Sequence, residues 1–593
     1  MRVAEHGLAD AVAAPRVDDA GRMRQRIDQA LIPHWRGRTD YTVLDTAFEF
    51  GARFLAVWQA WRETSDAPRR LHYVALVPRL YSPDALTQAH SAWPEWDALA
   101  RTLRERQPCA LPGMHRISLP DAGVRLTLVL GEKAQGLDQI DARVDCFLPD
   151  QEFFQVDVER LRHGLTWFSR LATAHSQMLI PEQPIDEALL RVVGFVTGRD
   201  RAVASFAPRW QVSAPPPVER RAIVIGAGLA GSAVSQRLRA RGWDVQLIER
   251  HADPAQEASG NLAGIFMPVL ARDDNPLARF SRAAFLFALR LWRELGGVGT
   301  AFDGAQCGVL QLDEEITAFH YDYPNEFARI TTEHGPAWLF EQGGWANPAG
   351  VCRAMLDACG DRLTWKRGTA ARLEREGDDW CVFDEADALL GAAPHLVLAN
   401  GTGGKHFAQT QMLPLTDVRG QVTHIEASRL PPLNRVLCGD GYITPPLRGL
   451  CCVGASYDND ADTNLRADSQ RENLARLARL LPDLAQDFSD LPLQGRTGFR
   501  CVAPDRLPLV GSLPDCAALA ASRAERLRDV PRHAGLYAVL GLASRGLTWS
   551  ALAAELLAAQ MSDEPLPIER DLYATLDPAR FALQQHRTAK KPR

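Results

Sequence analysis

Nowhere in the 593 residues is there an apolar run near the ~20 residues that a membrane-spanning helix requires, and Met1–Ala30 interleaves Arg, Asp and Glu where a signal peptide needs an apolar core. A cytoplasmic chain with no membrane partner is expected. The eleven cysteines include no C-x-x-C pair and no histidine spacing suited to zinc, so neither a disulfide scaffold nor a metal site is expected. Neither sign of charge is in large excess: 67 basic against 73 acidic residues give a net charge of −6, which argues against a uniformly basic nucleic-acid coat. A local patch stays open, and Arg580, Arg587, Lys590, Lys591 and Arg593 supply one candidate. Lysine is scarce, with five of the 67 basic residues, so any phosphate recognition would rest on arginine. No solenoid repeat and no low-complexity block stands out. What remains is an ordinary globular composition with room for about three to five folding units.

Two hydrophobic stretches, Tyr41–Leu44 and Ala222–Ile225, each run toward a glycine-containing turn and open an α/β unit. Between them, Val212–Val218 carries three consecutive prolines, which cannot join a helix and stiffen the chain into a spacer. The predicted organisation is therefore 1–211, a linker over 212–220, and 221–593. In the last portion, Ala222–Ile225 feeds Gly226-Ala227-Gly228-Leu229-Ala230-Gly231, a helical pattern through Val234, Leu238 and Ala240 follows, and the strand Val245–Glu249 closes on an acid. Gly226 permits the tight turn, Gly228 clears the path of a pyrophosphate, and Gly231 lets helix and strand pack closely. Glu249 stands where an acid accepts hydrogen bonds from a ribose. The pattern predicts a dinucleotide site without choosing between FAD and NAD(P).

Further segments follow: Ala258–Asn261, Ala263–Pro268, Arg272–Pro276, Gly344–Ala349, Leu398–Gly401, Val418–Val422, Gly439–Pro445, Gly454–Tyr457, Asp505–Gly511 and Ser544–Thr548. In this order and spacing they resemble the flavin amine-oxidase half of the bacterial bifunctional tRNA 5-methylaminomethyl-2-thiouridine biosynthesis family, over about Arg221–Phe581. The resemblance implies an α/β FAD domain like that of glycine oxidase and D-amino-acid oxidase (about 221–300, 345–415 and 535–580), interrupted by an antiparallel α+β substrate domain (about 301–344 and 416–534). It also implies FAD as cofactor, with Ser259, Asn261, Gly401, Gly541 and Gly546 joining the fingerprint residues around it. The implied activity is oxidative removal of the carboxymethyl group from 5-carboxymethylaminomethyl-2-thiouridine at the tRNA wobble position, with molecular oxygen or another acceptor taking the electrons.

That chemistry needs a hydride acceptor, which side chains cannot supply, and a cationic fork for the substrate carboxylate. Arg500 looks like the carboxylate-binding arginine of glycine oxidase-type enzymes, with Tyr442 beside it; Arg545 sits in a glycine-rich turn before the apolar stretch Leu552–Met561, whose helix N-terminus would face the flavin. Plainer readings are an ion-paired Arg500, a core Tyr442 and an ordinary loop at Arg545. A covalent flavin link through Cys501 is weighed and set aside in favour of a buried, inert thiol.

The amino-terminal portion, about Ile27–Trp210, is similar to the same family's S-adenosylmethionine-dependent methyltransferase half, a Rossmann-like domain. Its glycine loop has eroded: Ala47 and Glu49 stand where the family has glycine, and only Gly51 is left. Val77 ends the second strand where an acid should meet the ribose, and Phe147–Glu152 replaces the segment after the fourth strand. Asp45 is the surviving contact and Asp150 a substitute near the acceptor amine. These departures predict a chain that binds FAD and stops at the aminomethyl product, with S-adenosyl-L-methionine kept as the family's second cofactor but put in doubt by the eroded loop. The competing reading is an FAD-dependent oxidase of a free amino acid such as glycine or sarcosine.

Overall fold

The computed structural model describes residues 18–121, 123–180, 186–198, 201–212, 218–312, 323–332, 335–484, 488 and 493–590. The chain forms two compact units: Met1–Pro217 with Ala559–Asp571, and Val218–Ala558 with Leu572–Arg593. The central prolines of the expected linker, Pro215–Pro217, lie outside the described residues. Chain order alone groups 559–571 with the second portion; packing groups it with the first.

The first unit is built on eight strands: β1 (Asp40–Asp45), β2 (Arg70–Val77), β3 (Gly113–Ser118), β4 (Val124–Leu130), β5 (Val144–Leu148), β6 (Ala172–Leu179), β7 (Phe195–Thr197) and β8 (Val203–Phe206). Their order is β3-β4-β2-β1-β5-β6-β8-β7, with β4, β2, β1, β5 and β6 parallel and the outer strands antiparallel. β2 and β4 are buried along their whole length because both faces of a parallel sheet are covered, and the polar residues they carry, Arg70, His72, Arg125 and Thr127, are buried with them. Strand alternation sends Val43, Tyr73 and Ala75 into a core with Trp35, Phe54 and Trp58, and sends Leu44, Val74 and Leu76 into another with Phe147 and Phe168. Strand order reverses between β1 and β5, which is where α/β sheets open a crevice at their carboxyl ends.

The returning segment Ala559–Asp571 is tied to this sheet by charge. Glu564, almost fully buried, accepts from Arg125 on β4 at 3.1 Å and lies 3.5 Å from Arg70 on β2. Arg116 on β3 donates to the Pro565 carbonyl, and the Leu566 N–H to the Asp141 carbonyl at 2.9 Å. With two guanidinium groups on Glu564, the adjacent Asp40 and His72 complete an ion-pair network rather than a cation site.

The second unit contains a six-stranded sheet in the order Leu363–Arg367, β10 (Asp244–Glu249), β9 (Arg221–Ile225), His395–Leu398, Arg532–Leu540, Leu509–Pro514. All neighbours are parallel except the last pair. A second sheet of eight strands is dominated by the long antiparallel pair Thr416–Glu426 with Gln494–Val502. It corrects the antiparallel expectation in one place: Val309–Leu312 runs parallel to Val436–Cys438. These strands lie on either side of the long excursion through the first sheet, so they need not be joined by a hairpin. The helix Gly546–Met561 begins six residues earlier than its apolar stretch suggests and is buried on all sides. Glu555 within it is neutralised by a bidentate pair with Arg241 at 2.7 and 3.0 Å. No helix among the described residues is long and apolar enough to cross a membrane.

Candidate active site

In the second unit, β9 delivers the chain into Gly226 at φ +101°, a conformation that L side chains rarely adopt. A Cβ there would lie 2.7 Å from the Asn400 Cα, and one on Gly231 would lie 1.7 Å from the Gly226 carbonyl oxygen. These glycines are therefore dictated by backbone approach. The helix Leu229–Arg239 starts from Gly228 without a side-chain cap of its own; only the Leu229 N–H is met, by Ser259 Oγ at 3.1 Å. Glu249, at the end of β10, accepts from the Ala227 and His251 N–H groups at 2.7 and 3.0 Å and so holds the loop to the strand. The Asn400 Oδ1 is buried and receives no hydrogen bond from any described group.

A cavity of about 1210 Å³ opens from this loop. Gly226, Gly228, Glu249, Ser259, Asn261, Gly401, Gly541 and Gly546 all line it, as do Arg500, Tyr442 and Arg545; Gly231 stands behind, at the helix packing contact. A glycine cradle that a Cβ would fill, a helix N-terminus without its own cap and a buried, unpartnered amide oxygen suit a dinucleotide. The residues present fit FAD.

Toward the substrate domain, Arg500 is brought beside Gly420 by the pairing of Gln494–Val502 with Thr416–Glu426. A Cβ on Gly420 would lie 2.1 Å from Arg500 Nη1, so the glycine leaves the lane that the guanidinium occupies. Arg500 donates to the Ser456 and Arg419 carbonyls at 3.1 and 3.4 Å, and its Cζ lies 4.2 Å from the ring centre of Tyr457. Arg419 points away and is fully buried, donating to Asp458, Gln421, and the Asp462 and Asn464 carbonyls; it fastens the turn that carries Tyr457. The Tyr442 hydroxyl stands 3.9 Å from Cys452 Sγ, and burial raises its pKa well above the usual phenol range. Burial pulls the Arg545 guanidinium below its ordinary value; its cation faces the Trp549 ring at 5.6 Å. Among the described residues neither Arg500 nor Arg545 makes an ion pair, which removes the ion-pair reading of Arg500. Cys501 is buried and its thiol is pushed up to about 12 by desolvation. All eleven cysteines are free thiols.

The crevice of the first unit is closed by its own residues. Asp45, fully buried at the end of β1, accepts from Tyr73 Oη at 2.7 Å, Arg53 Nη1 at 2.9 Å and the Ala47 N–H at 3.0 Å. The same Arg53 nitrogen donates to the Leu148 carbonyl at 3.0 Å, bridging β1 and β5. Thr46 Oγ1 donates to Asp150 Oδ1 at 2.7 Å, and Lys133 Nζ meets Asp150 Oδ2 at 2.8 Å, so Asp150 serves as N-cap and ion-pair partner. Gly51 takes φ +82° at the start of helix Ala52–Glu63, while Glu49 is held at φ +46°, where glycine would be unstrained. Val77 is buried and carries no polar atom beyond its backbone. Glu49 at a positive φ and Val77 without a polar side chain stand where the family resemblance puts a loop glycine and the ribose acid, so these residues are a poor fit to S-adenosylmethionine.

Sequence reasoning brought Arg500, Tyr442, Arg545 and the fingerprint to one cavity but passed over Gly420, Tyr457 and Arg53. Gly420 and Tyr457 lie within the motif segments Val418–Val422 and Gly454–Tyr457, yet a cross-strand lane and a ring face exist only after pairing. Arg53 had a signal, a cation eight residues after Asp45 at a helix start, which is indistinguishable in sequence from a solvated arginine.

The cradle, the cavity and the mixed second unit define a flavin-dependent oxidoreductase, and a family model described as FAD dependent oxidoreductase matches residues 221–560. Over nearly its whole length the chain belongs to the family of tRNA 5-methylaminomethyl-2-thiouridine biosynthesis bifunctional proteins. It is 40% identical to the MnmC protein of Burkholderia thailandensis, covering 94% of this chain and 93% of the relative, and 37% identical to that of Azoarcus sp., with 94% and 93% covered. The solved structure of glycine oxidase from Geobacillus kaustophilus is similar over 58% of this chain and 95% of its own, at 19% identity and a TM-score of 0.46.

Proposed function

We propose that the chain modifies the wobble uridine of tRNA, removing the carboxymethyl group of 5-carboxymethylaminomethyl-2-thiouridine by FAD-dependent oxidation and releasing 5-aminomethyl-2-thiouridine. The observation that carries this reading is the pair of arginines, Arg500 and Arg545, which line the dinucleotide-type cavity and form no ion pair among the described residues. Arg500 takes the substrate carboxylate in a charge-assisted fork, with the Tyr442 hydroxyl donating to the same group. Burial keeps Tyr442 protonated, as a donor must be. Arg545, at the start of helix Gly546–Met561, places positive potential toward the ring end of the cofactor, beside Gly541 and Gly546. Gly226, Gly228 and the helix N-terminus would hold the pyrophosphate, with Gly231 keeping the helix close, Glu249 toward the ribose, and Ser259, Asn261 and Gly401 completing the lining. Bound FAD would supply the acceptor for the hydride of the carboxymethyl C–H next to the amine, whose C–N bond becomes C=N as the N–H proton leaves. Water hydrolyses that imine without a dedicated nucleophile, the carboxymethyl carbons leave as glyoxylate, and molecular oxygen or another acceptor receives the electrons.

Because Arg53 and Tyr73 consume Asp45, the reaction ends at the primary amine. Anaerobic mixing with tRNA bearing the carboxymethylated base should bleach the flavin, whereas glycine or sarcosine at millimolar concentration should not. Bleaching by the amino acids alone would establish the competing oxidase reading. Calorimetric titration with S-adenosylmethionine should show no heat of binding, and its addition should yield no methylated nucleoside.

A further inference from the structure

We infer that Tyr457 is the stacking platform for the wobble base, an assignment that rests on the tRNA reading above. Among the large apolar and aromatic side chains that stand exposed on the described second unit, Tyr457 is the aromatic one, at 61% exposure, and it also lines the cavity. A residue that does both stands at the rim. One face of its ring is taken by the Arg500 guanidinium at 4.2 Å, which fixes the ring's position and leaves the rest in solvent. A tyrosine ring exposed at a pocket mouth offers a flat apolar face on which a planar ligand can stack.

The turn that presents the ring is unusually well held. Ser456 Oγ donates to Asp458 Oδ2 at 3.0 Å, the Asp458 carboxylate is paired with the buried Arg419 at 2.9 Å, and backbone hydrogen bonds join residues 419 and 458 in both directions. Further along, Arg466 is clamped by Asp460 and Asp462 at 2.7 and 2.8 Å. A preorganised ring loses little conformational freedom when a base settles on it. The chemistry of the substrate matches this layout: a pyrimidine carries, at its edge, a short amine arm ending in a carboxylate. A base stacked on the opposite face of Tyr457 would have the ring between it and the guanidinium, a separation that the arm spans by passing the ring edge to bring its carboxylate to Arg500. Tyr457 is thus a positioning residue for the base, distinct from the carboxylate fork.

The test uses the full-length flavoprotein and two variants. Stacking on an aromatic side chain contributes about 1–3 kcal/mol per base, so Tyr457→Leu should raise KM for the modified tRNA roughly 5- to 150-fold with kcat within about twofold, and Tyr457→Phe should leave both within about twofold. A spectroscopic signature accompanies the kinetics. An anticodon stem-loop carrying pyrrolocytosine at the wobble position should be quenched on binding the parent protein and Tyr457→Phe, and should lose most of that quenching with Tyr457→Leu. Equal quenching in Tyr457→Leu would overturn the assignment, as would a fall in kcat at unchanged KM, which would make Tyr457 a prop for Arg500 alone. Failure of the parent protein to bind the stem-loop would instead count against the tRNA reading itself.

Discussion

Arg500 reads in opposite ways at two stages. In sequence it is one of 62 arginines, singled out only by its neighbours Phe499 and Cys501 and their family resemblance. In three dimensions it is defined by an empty lane: the missing side chain of Gly420. Replacing Arg500 by Met should cost about 1.5–3 kcal/mol of transition-state binding, roughly 10- to 150-fold in kcat/KM on modified tRNA. Gly420→Ala should reproduce much of that loss without touching a charge, because its Cβ would stand 2.1 Å from the guanidinium. If Gly420→Ala retained the parent kcat/KM, the lane argument would fail. Cys501 provides a contrast at the same scale. With its thiol near 12, it is protonated and unreactive at pH 8, so iodoacetamide should leave it unlabelled in the native protein. Acid precipitation should release all FAD to the supernatant, and a flavin-bearing peptide around Cys501 would refute this.

At the scale of elements, parallel strands were the most legible. Ala222–Ile225 is a continuous apolar run because both faces are covered, and no packing detail alters that pattern. The helix after Gly228, buried over Leu229–Leu238, was equally plain. Helix Gly546–Met561 was legible only in its carboxyl-terminal half, since its first turn reads as a glycine-rich loop. Its acid, Glu555, looks like a solvated residue in sequence and is in fact buried against Arg241. Removing Arg241 takes the bidentate partner from Glu555 and leaves it the longer contact to Arg237 at 3.6 Å, so Arg241→Met should destabilise the second unit by about 2–4 kcal/mol, measured by the denaturation midpoint of the flavin-fluorescence transition. The double variant Arg241→Met with Glu555→Leu should recover most of the loss. No recovery would show that Arg241 acts through packing rather than charge.

For the molecule as a whole, the sequence located two portions and the chemistry of one, but the composition of the first unit was beyond it. Nothing in Ala559–Asp571 marks it as belonging anywhere except beside the helix it follows; only the guanidinium groups of Arg70 and Arg125, hundreds of residues away, give Glu564 a counter-charge. The linker is therefore a poor place to divide the protein. Residues 218–593 expressed alone should melt at a lower temperature than the full chain, because Glu564 loses both partners. Glu564→Gln in the full chain should lower the melting temperature of the first unit. A fragment 218–593 with the full-length melting temperature would contradict this.

The same return has a consequence in time. A ribosome releases chains from the amino terminus at about 5–20 residues per second, so the eight strands of the first unit are available on the order of half a minute before residues 559–571 emerge. During that interval the sheet holds Arg70, already paired with Asp40, and Arg125, while Glu564, which both of them face, has yet to be synthesised. The first domain to be translated is, in this chain, among the last to be finished.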